Sequence, residues 1–576
     1  MDTGNFSMLS TRRPEGEVIF EMTYENRMDL VRAAKGDVCA DIVFQNCDLF
    51  NPFDCTWERT RFGVTDGVVI GTGPYIGRQA IDLHGRKVVP GLIDAHVHIE
   101  SSLLCPEEYT KLVSAHGTTT VIADPHEIAN VCGTAGILSM CKVVQGLPVD
   151  IFFMLPSCVP ASQADMGGAK LTAKDLQGLR EEPGVIGLGE VMNVPGVLGG
   201  DPDLWKKLSL FRIIDGHAPG LRGMALNAYL VAGPGSDHEC TTPEEAAEKL
   251  KAGMYLFIRE GSTERNIHSL ISLVTPHNVS RCSFATDDRH ADTLFSEGHI
   301  DDCVRRSAEY GLEPELALRM ATLSAAERFG LTDRGALAPG RLADFCVLEE
   351  GTEFRVHQTY KDGELVTGTR RSKVQSMTSA IKCEVPAEES ITLEGAGTAH
   401  IIGLVPDEII TRHLRISLDA REVPDLQEDL LKVVVCNRYR KQRPAVGLVQ
   451  GFGMKTGAIA SSVSHDSHHI IATGTSDEDI RRAIGAVIRA GGALTSISGE
   501  EIHLLPLEYA GLMSVHPYEK VVEQLAAINA HTMRMGCIAS PFMYLQFLGL
   551  SVIPSLRITD RGLYDVESST RISVFE

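Results

Sequence analysis

Between residues 90 and 335 the sequence alternates short strand-like runs with helix-forming stretches, and this rhythm restricts the segment to parallel β/α architectures. The strand-like runs are the one carrying Asp94-Ala95-His96-Val97-His98, then Thr118–Asp124, Asp150–Leu155 and Val185–Glu190. They continue with Ile213–His217, Ala228–Gly233 leading toward Asp237-His238-Glu239, Tyr255–Glu260 and Arg281–Asp288. Between them lie helix starts such as Thr242-Pro243-Glu244-Glu245, where a hydroxyl caps free amides and proline suits the first turn. Eight such units in about 245 residues predict a (β/α)8 barrel. The sixth strand is the least distinct, because its apolar run equally suits the preceding helix.

The flanks read differently. Met28–Ala34 suits a short helix before Gly36, within an N-terminal helical extension over residues 1–35. Ala40–Phe44 and Gly67–Gly71 are β-like runs broken by Asn, Asp, Pro and Gly, and the same texture returns in Ala343–Leu348. Residues 36–89 and 336–384 are therefore expected to build one small β-sandwich domain from both sides of the barrel, which occupies 90–335. From 385 to 576, strands such as Lys432–Cys436 mix with a helix at Glu478–Ile488, which predicts a separate C-terminal α+β domain. The predicted fold class is α/β, a TIM barrel with these two additions.

A net charge of −22 disfavours nucleic acid and anionic membranes as partners. No apolar run is long enough to span a bilayer and the first twenty residues lack a signal-peptide core, so a cytoplasmic location is expected. The fourteen cysteines are scattered without CxxC pairs, as free thiols in a reducing compartment would be. Gly451-Phe452-Gly453-Met454-Lys455-Thr456-Gly457 is close to a phosphate loop but lacks the glycine before Lys455, and its glycine spacing also misses GxGxxG. Nucleotide binding is not expected there.

The chemistry concentrates at the C-terminal ends of the barrel strands, where such folds place their active sites. His96 and His98 follow the apolar run Lys87-Val88-Val89-Pro90, read as a strand, and residues two apart on a strand share a face. Glu190 ends the fourth strand, His217 the fifth and Asp287 the eighth, while His238 follows the sixth. Each alone has an ordinary explanation as a satisfied polar residue or a helix cap, but their coincidence at one end of one barrel points to a metal site. Four imidazoles and two carboxylates suit Zn²⁺, Mn²⁺ or Fe²⁺ and suffice for two ions. His96, His98 and Asp287 would hold one, His217 and His238 the other, with Glu190 bridging. Such a pair activates a shared water, whose proton Asp287 can take and pass to a leaving group.

These motifs carry a resemblance. The barrel with HxH and the later His, His and Asp resembles the amidohydrolase superfamily. Within it, Pro90–Ser102, Ala123-Asp124-Pro125-His126-Glu127-Ile128-Ala129-Asn130-Val131, Ile258–Ser262 and Ala285-Thr286-Asp287-Asp288-Arg289-His290-Ala291-Asp292 closely resemble the bacterial adenine deaminase family that acts on the free base. Val463-Ser464-His465-Asp466-Ser467-His468-His469 is also similar, with His469 where that family more usually has Asn. The likeness runs from before residue 40 into the last domain; HxH is shared across the superfamily, while the segments at 123–131 and 285–292 are far more specific.

The resemblance implies hydrolytic deamination of adenine to hypoxanthine and ammonia in purine salvage, with two Mn²⁺ or Fe²⁺ ions, Zn²⁺ being the alternative. It also implies Glu190 in place of the carboxylated lysine of many cyclic-amide hydrolases, and a homodimer is expected. Glu100 and Glu260 are candidates for a further acid acting on the ring, or else they orient metal-bound histidines. Asp124, His126 and Glu127 either shape the pocket or buttress the metals; Arg259 either pairs with Glu260 or contacts a purine nitrogen. Asp288 and His290 are further substrate or buttressing candidates. His465, Asp466 and His468 hold another ion, close over substrate or cap a turn. The rival readings are a metal hydrolase of the same architecture acting on a cyclic amide or another heterocycle, and a catalytically silent metal-binding relative.

Overall fold

The computed structural model describes residues 24–351, 354–367, 377, 381–393, 395, 397–406, 408–418 and 423–576. A helix spans Tyr24–Ala34; the remainder of the expected N-terminal extension lies outside the described residues.

The barrel strands form two parallel arcs. Leu92–Val97, Thr118–Ala123, Asp150–Leu155, Val185–Val191 and Ile214–Gly216 lie side by side in chain order. Ser236–Asp237, Tyr255–Arg259 and Cys282–Ala285 form the second arc. One parallel bridge, Val97 to Asp287, links the first strand to the eighth, and the Gly235 amide donates to the Ile214 carbonyl at 3.0 Å between the fifth and sixth. The first two strands are buried at every residue, so even the polar residues that alternate along the first, Asp94 and His96, are shielded from solvent.

Two expectations are corrected. Lys87–Pro90 is not the beginning of the HxH strand: it pairs antiparallel with Phe345–Leu348, Val88 opposite Val347, in a different sheet. The chain crosses between sheets at Gly91, where a Cβ would stand 2.1 Å from Thr119 Oγ1. Nor is Ala228–Gly233 the sixth strand. It falls in and just after the helix Gly223–Val231, and the strand itself is only Ser236–Asp237, too short to leave an apolar run.

The sheet that receives Lys87–Pro90 has eight strands. Its strand Ala40–Asn51 pairs along one edge with Thr56–Thr65, and its other edge is shared between Gly77–Asp82 and Lys87–Pro90. Phe44, Phe62, Phe345 and Tyr360 stack at its centre, with Phe345 and Tyr360 centroids 4.5 Å apart.

The C-terminal segment builds another eight-stranded sheet, flanked by helices at Asp477–Ala490 and Tyr518–Arg534. Ser476 Oγ accepts the Asp479 amide to start the first of these, and Gly491, at φ 74°, ends it. This sheet is not a loose appendage. Val121 and Ile128 of the barrel belong to one continuous buried apolar cluster with Leu431, Met454, Tyr509 and Leu548. The Ser514 amide donates to the Leu103 carbonyl at 2.8 Å, and the Ser139 and Tyr509 hydroxyls lie 2.5 Å apart. All fourteen cysteines are free thiols.

Candidate metal centre

His96 and His98 leave the first strand with their Nε2 atoms 3.2 Å apart. His98 Nδ1 lies 3.0 Å from the Asp124 carbonyl, which as acceptor makes Nδ1 a donor and turns Nε2 toward its partners. Across the gap, Asp287 Oδ1 lies 3.6 Å from His96 Nε2 and 3.1 Å from His98 Nε2. The bridge between first and eighth strands creates this meeting: Asp287 N donates to the His96 carbonyl and His98 N to the Asp287 carbonyl, each at 3.1 Å. Asp287 adopts φ 55°, a left-handed conformation that costs a non-glycine residue energy and is retained where the surroundings enforce it.

Glu190 faces both ways. Its Oε1 is 3.3 Å from His98 Nε2 and 3.9 Å from His96 Nε2, while Oε2 is 2.6 Å from His217 Nδ1 and 3.3 Å from His238 Nε2. Its amide donates to Asp124 Oδ2 at 3.0 Å, an approach open only because residue 189 is glycine: a Cβ there would sit 2.0 Å from that oxygen.

Charge is balanced at close quarters. Burial alone would raise the Glu190 and Asp287 carboxyls, yet the surrounding imidazoles hold both well below the usual carboxylate range, led by His217 for Glu190 and by His96 and His98 for Asp287. Burial and the His126 charge oppose a protonated His98, but Asp287 and Glu190 outweigh them and push it well above its ordinary value; His238 rises to about 9 for similar reasons. Protons thus fill the positive role that a divalent cation takes over on binding. His217 Nε2 is buried with no hydrogen-bond partner. Convergent imidazole nitrogens, two held carboxylates and an orphaned ring nitrogen fit divalent metal ions.

Sequence reasoning missed two supports, Glu239 and Asp94. Glu239, beside His238, lies 3.7 Å from His217 Nδ1 and 3.5 Å from His238 Nε2. Arg259 clamps it: Nη1 meets Glu239 Oε1, Nη2 lies 3.2 Å from Oε2, and Nη1 also reaches Asp287 Oδ2 at 2.8 Å. The arginine therefore pairs with Glu239 and Asp287 rather than with Glu260. Asp94 is the second, accepting from the His96 amide and from the Thr286 amide, each at 3.2 Å, so it ties the first strand to the eighth. Its place two residues before His96, on the same strand face, was the available signal.

A second ring of groups adjoins the first. His126 Nδ1 lies 3.3 Å from Glu190 Oε1, and its Nε2 lies 3.2 Å from Glu127 and 3.5 Å from Asp466. Glu127 also receives the C-terminal segment: His465 Nδ1 approaches at 2.6 Å and His468 Nε2 contacts the other oxygen. The histidine cluster near residue 465 is thereby brought against the barrel centre. A cavity of about 20 Å³ is lined by His98, Glu190, His217, His238 and Asp287, by Asp288, His465 and Asp466, and by apolar Met192, Ile409 and Leu550. Glu100, Glu260 and His290 do not line it. Glu100 accepts the Ile128 amide, and burial and the nearby Glu127 push its carboxyl up to about 7. Glu260 turns to the Ile267 amide and to Arg306, 3.6 Å away. The His290 amide donates to Ser262 Oγ at 2.9 Å.

Residues 87–366 match the amidohydrolase family and residues 408–570 the adenine deaminase C-terminal domain. The adenine deaminase of Methanoregula boonei is 57% identical over 549 residues, which covers 95% of this chain and 98% of that protein. The chain belongs to the adenine deaminase family. Other family members include the adenine deaminase of Methanoculleus marisnigri, 58% identical over 89% of this chain and 99% of its own. That of Desulfatibacillum aliphaticivorans is 42% identical over 95% and 99%. Membership in the adenine deaminase family implies a metal-dependent hydrolase with a divalent cofactor and a small-molecule substrate.

Proposed function

We infer that this chain hydrolyses adenine to hypoxanthine and ammonia, and that it does so with two divalent ions, Mn²⁺ or Fe²⁺, with Zn²⁺ as the alternative. The observation that carries the two-ion reading is Glu190, whose oxygens divide between the His96/His98 pair and the His217/His238 pair on a strand, Val185–Val191, that contains no lysine. His96, His98 and Asp287 would hold one ion, His217 and His238 the second, with Glu190 between them. When bound, such ions lower the pKa of a water and polarise the bond it faces.

The chain's own groups account for the rest. Asp287, held ionised and anchored through Oδ2 by Arg259, accepts the water's proton and returns it to the departing amine. Met192, Ile409 and Leu550 offer apolar surface to the faces of a purine, while Asp288, His465 and Asp466 present polar atoms to its edge. Glu127, neutralised by histidines from both domains, keeps the C-terminal segment seated over the cavity. Glu100 and Glu260 act through neighbours, Glu100 by fixing the start of the helix that carries Glu127.

The same reading assigns residues 36–89 with 336–384, 90–335 and 385–576 to separate domains of a cytoplasmic homodimer. Among the described residues, no helix is long and apolar enough to cross a membrane, and the helix Gly223–Val231 leaves Met224 and Val231 exposed for a second copy to cover. The deciding experiment incubates Mn²⁺-loaded protein with adenine, adenosine, cytosine and dihydroorotate. Ammonia released from adenine alone is expected; turnover of dihydroorotate without turnover of adenine would overturn the assignment.

A further inference from the structure

Far along the chain from the barrel ligands, a second set of metal-capable groups gathers on the C-terminal sheet. Glu501 and His503 lie two apart on its edge strand Glu501–Pro506, and so share a face, and the helix Tyr518–Arg534 brings His531 to them. One ligand atom from each falls within 4.8 Å of the others. Glu501 Oε1 is 2.8 Å from His503 Nε2 and Oε2 is 3.7 Å from His531 Nε2, while the two rings lie 4.6 Å apart at 38°.

His531 is prepared as a ligand. It is only 2% exposed, and its Nδ1 lies 2.7 Å from Ser496 Oγ, a contact that fixes the ring with Nε2 toward Glu501. None of these residues lines the barrel cavity.

We propose that Glu501, His503 and His531 form a binding site for a borderline divalent cation such as Zn²⁺, separate from the catalytic centre. Two imidazoles and a carboxylate supply three of the four ligands such an ion takes, and the part-exposed Glu501 and His503 leave a path for entry and for a water. Arg534, more than half exposed, now occupies the carboxylate with Nη2 2.5 Å from Glu501 Oε1, and it must swing into solvent when a cation binds. The bound ion would staple the edge strand to a helix that itself reaches the barrel, where Asn529 Nδ2 donates to Asp292 Oδ2 at 2.8 Å.

The test uses the full chain with its barrel centre loaded with Mn²⁺, titrated with Zn²⁺ by equilibrium dialysis and followed by thermal melting. Wild type should take up one Zn²⁺ per chain more than His503→Ala, and Zn²⁺ should raise the melting temperature of wild type but not of that variant. Arg534→Gln should tighten this binding and Glu501→Gln weaken it by at least tenfold, with adenine turnover unchanged in all three. Equal uptake by wild type and His503→Ala, or a Zn²⁺ affinity indifferent to Arg534, would overturn the proposal. The half-buried His503 is chosen because its loss spares the buried His531–Ser496 contact.

Discussion

Replacing Arg259 by methionine probes the link between the barrel's architecture and its chemistry. The guanidinium is 1% exposed, grips Glu239 through both Nη atoms and holds Asp287 Oδ2 at 2.8 Å. Methionine fills much of the same volume without the charge, so two buried carboxylates lose their counterion together. Breaking one buried pair by deleting a partner costs about 3–5 kcal/mol. Because the two carboxylates share one cation, the losses do not add; a total near 4 kcal/mol corresponds to a fall of about 8–16 °C in melting temperature for a unit of this size. Asp287 also loses the anchor that aims Oδ1 at His96 and His98, and a misplacement of about 1 Å costs about a hundredfold in turnover. Arg259→Lys keeps the charge but cannot fork, so it should recover part of both losses. The assay is differential scanning fluorimetry of metal-loaded protein alongside steady-state ammonia release. A methionine variant melting within about 1 °C of wild type and turning over adenine within about threefold would refute this account of the clamp.

Three further outcomes are expected. Glu190→Ala should lower the metal content measured by mass spectrometry from two ions toward one and abolish deamination; two tightly held ions would remove its bridging role. Leu550→Ala strips an apolar wall from the cavity and should raise KM about tenfold with little change in kcat. Asp165 is buried and accepts from Ser551 Oγ at 2.6 Å, and burial, with Asp466 and Asp560 nearby, pushes its carboxyl up to about 8. A raised acid binds its proton more tightly in the folded chain, so stability falls as pH climbs from about 4 to 8, by at most about 6 kcal/mol. Asp165→Asn should therefore melt level with wild type near pH 5 and several degrees higher near pH 8.5, and a gap that ignores pH would contradict this.

Much of the barrel was legible because parallel strands buried on both faces write themselves as compact apolar runs. Thr118–Ala123, Asp150–Leu155 and Val185–Val191 stand where such runs predict them. The misreadings have physical causes. Lys87–Pro90 and Leu92–Val97 form one apolar stretch in sequence, and only the close approach of Thr119 to Gly91 shows that the chain changes sheet there. The sixth strand spans two residues, too few for any periodicity, whereas the neighbouring helix is apolar enough to imitate a strand.

The sequence by itself determined which residue types stand at the C-terminal rim of the barrel, since strand alternation places His96 beside His98 and strand ends present Glu190, His217 and Asp287. What only the tertiary structure decided is how those groups are held. Asp287 meets the histidines because the first and eighth strands bridge, and Arg259 turns to Glu239 because a buried guanidinium takes the carboxylates that surround it. Glu127 faces His465 and His468 because a shared apolar core presses the C-terminal sheet onto the barrel. Such pairings depend on contacts between residues tens to hundreds of positions apart, and local periodicity carries no record of them.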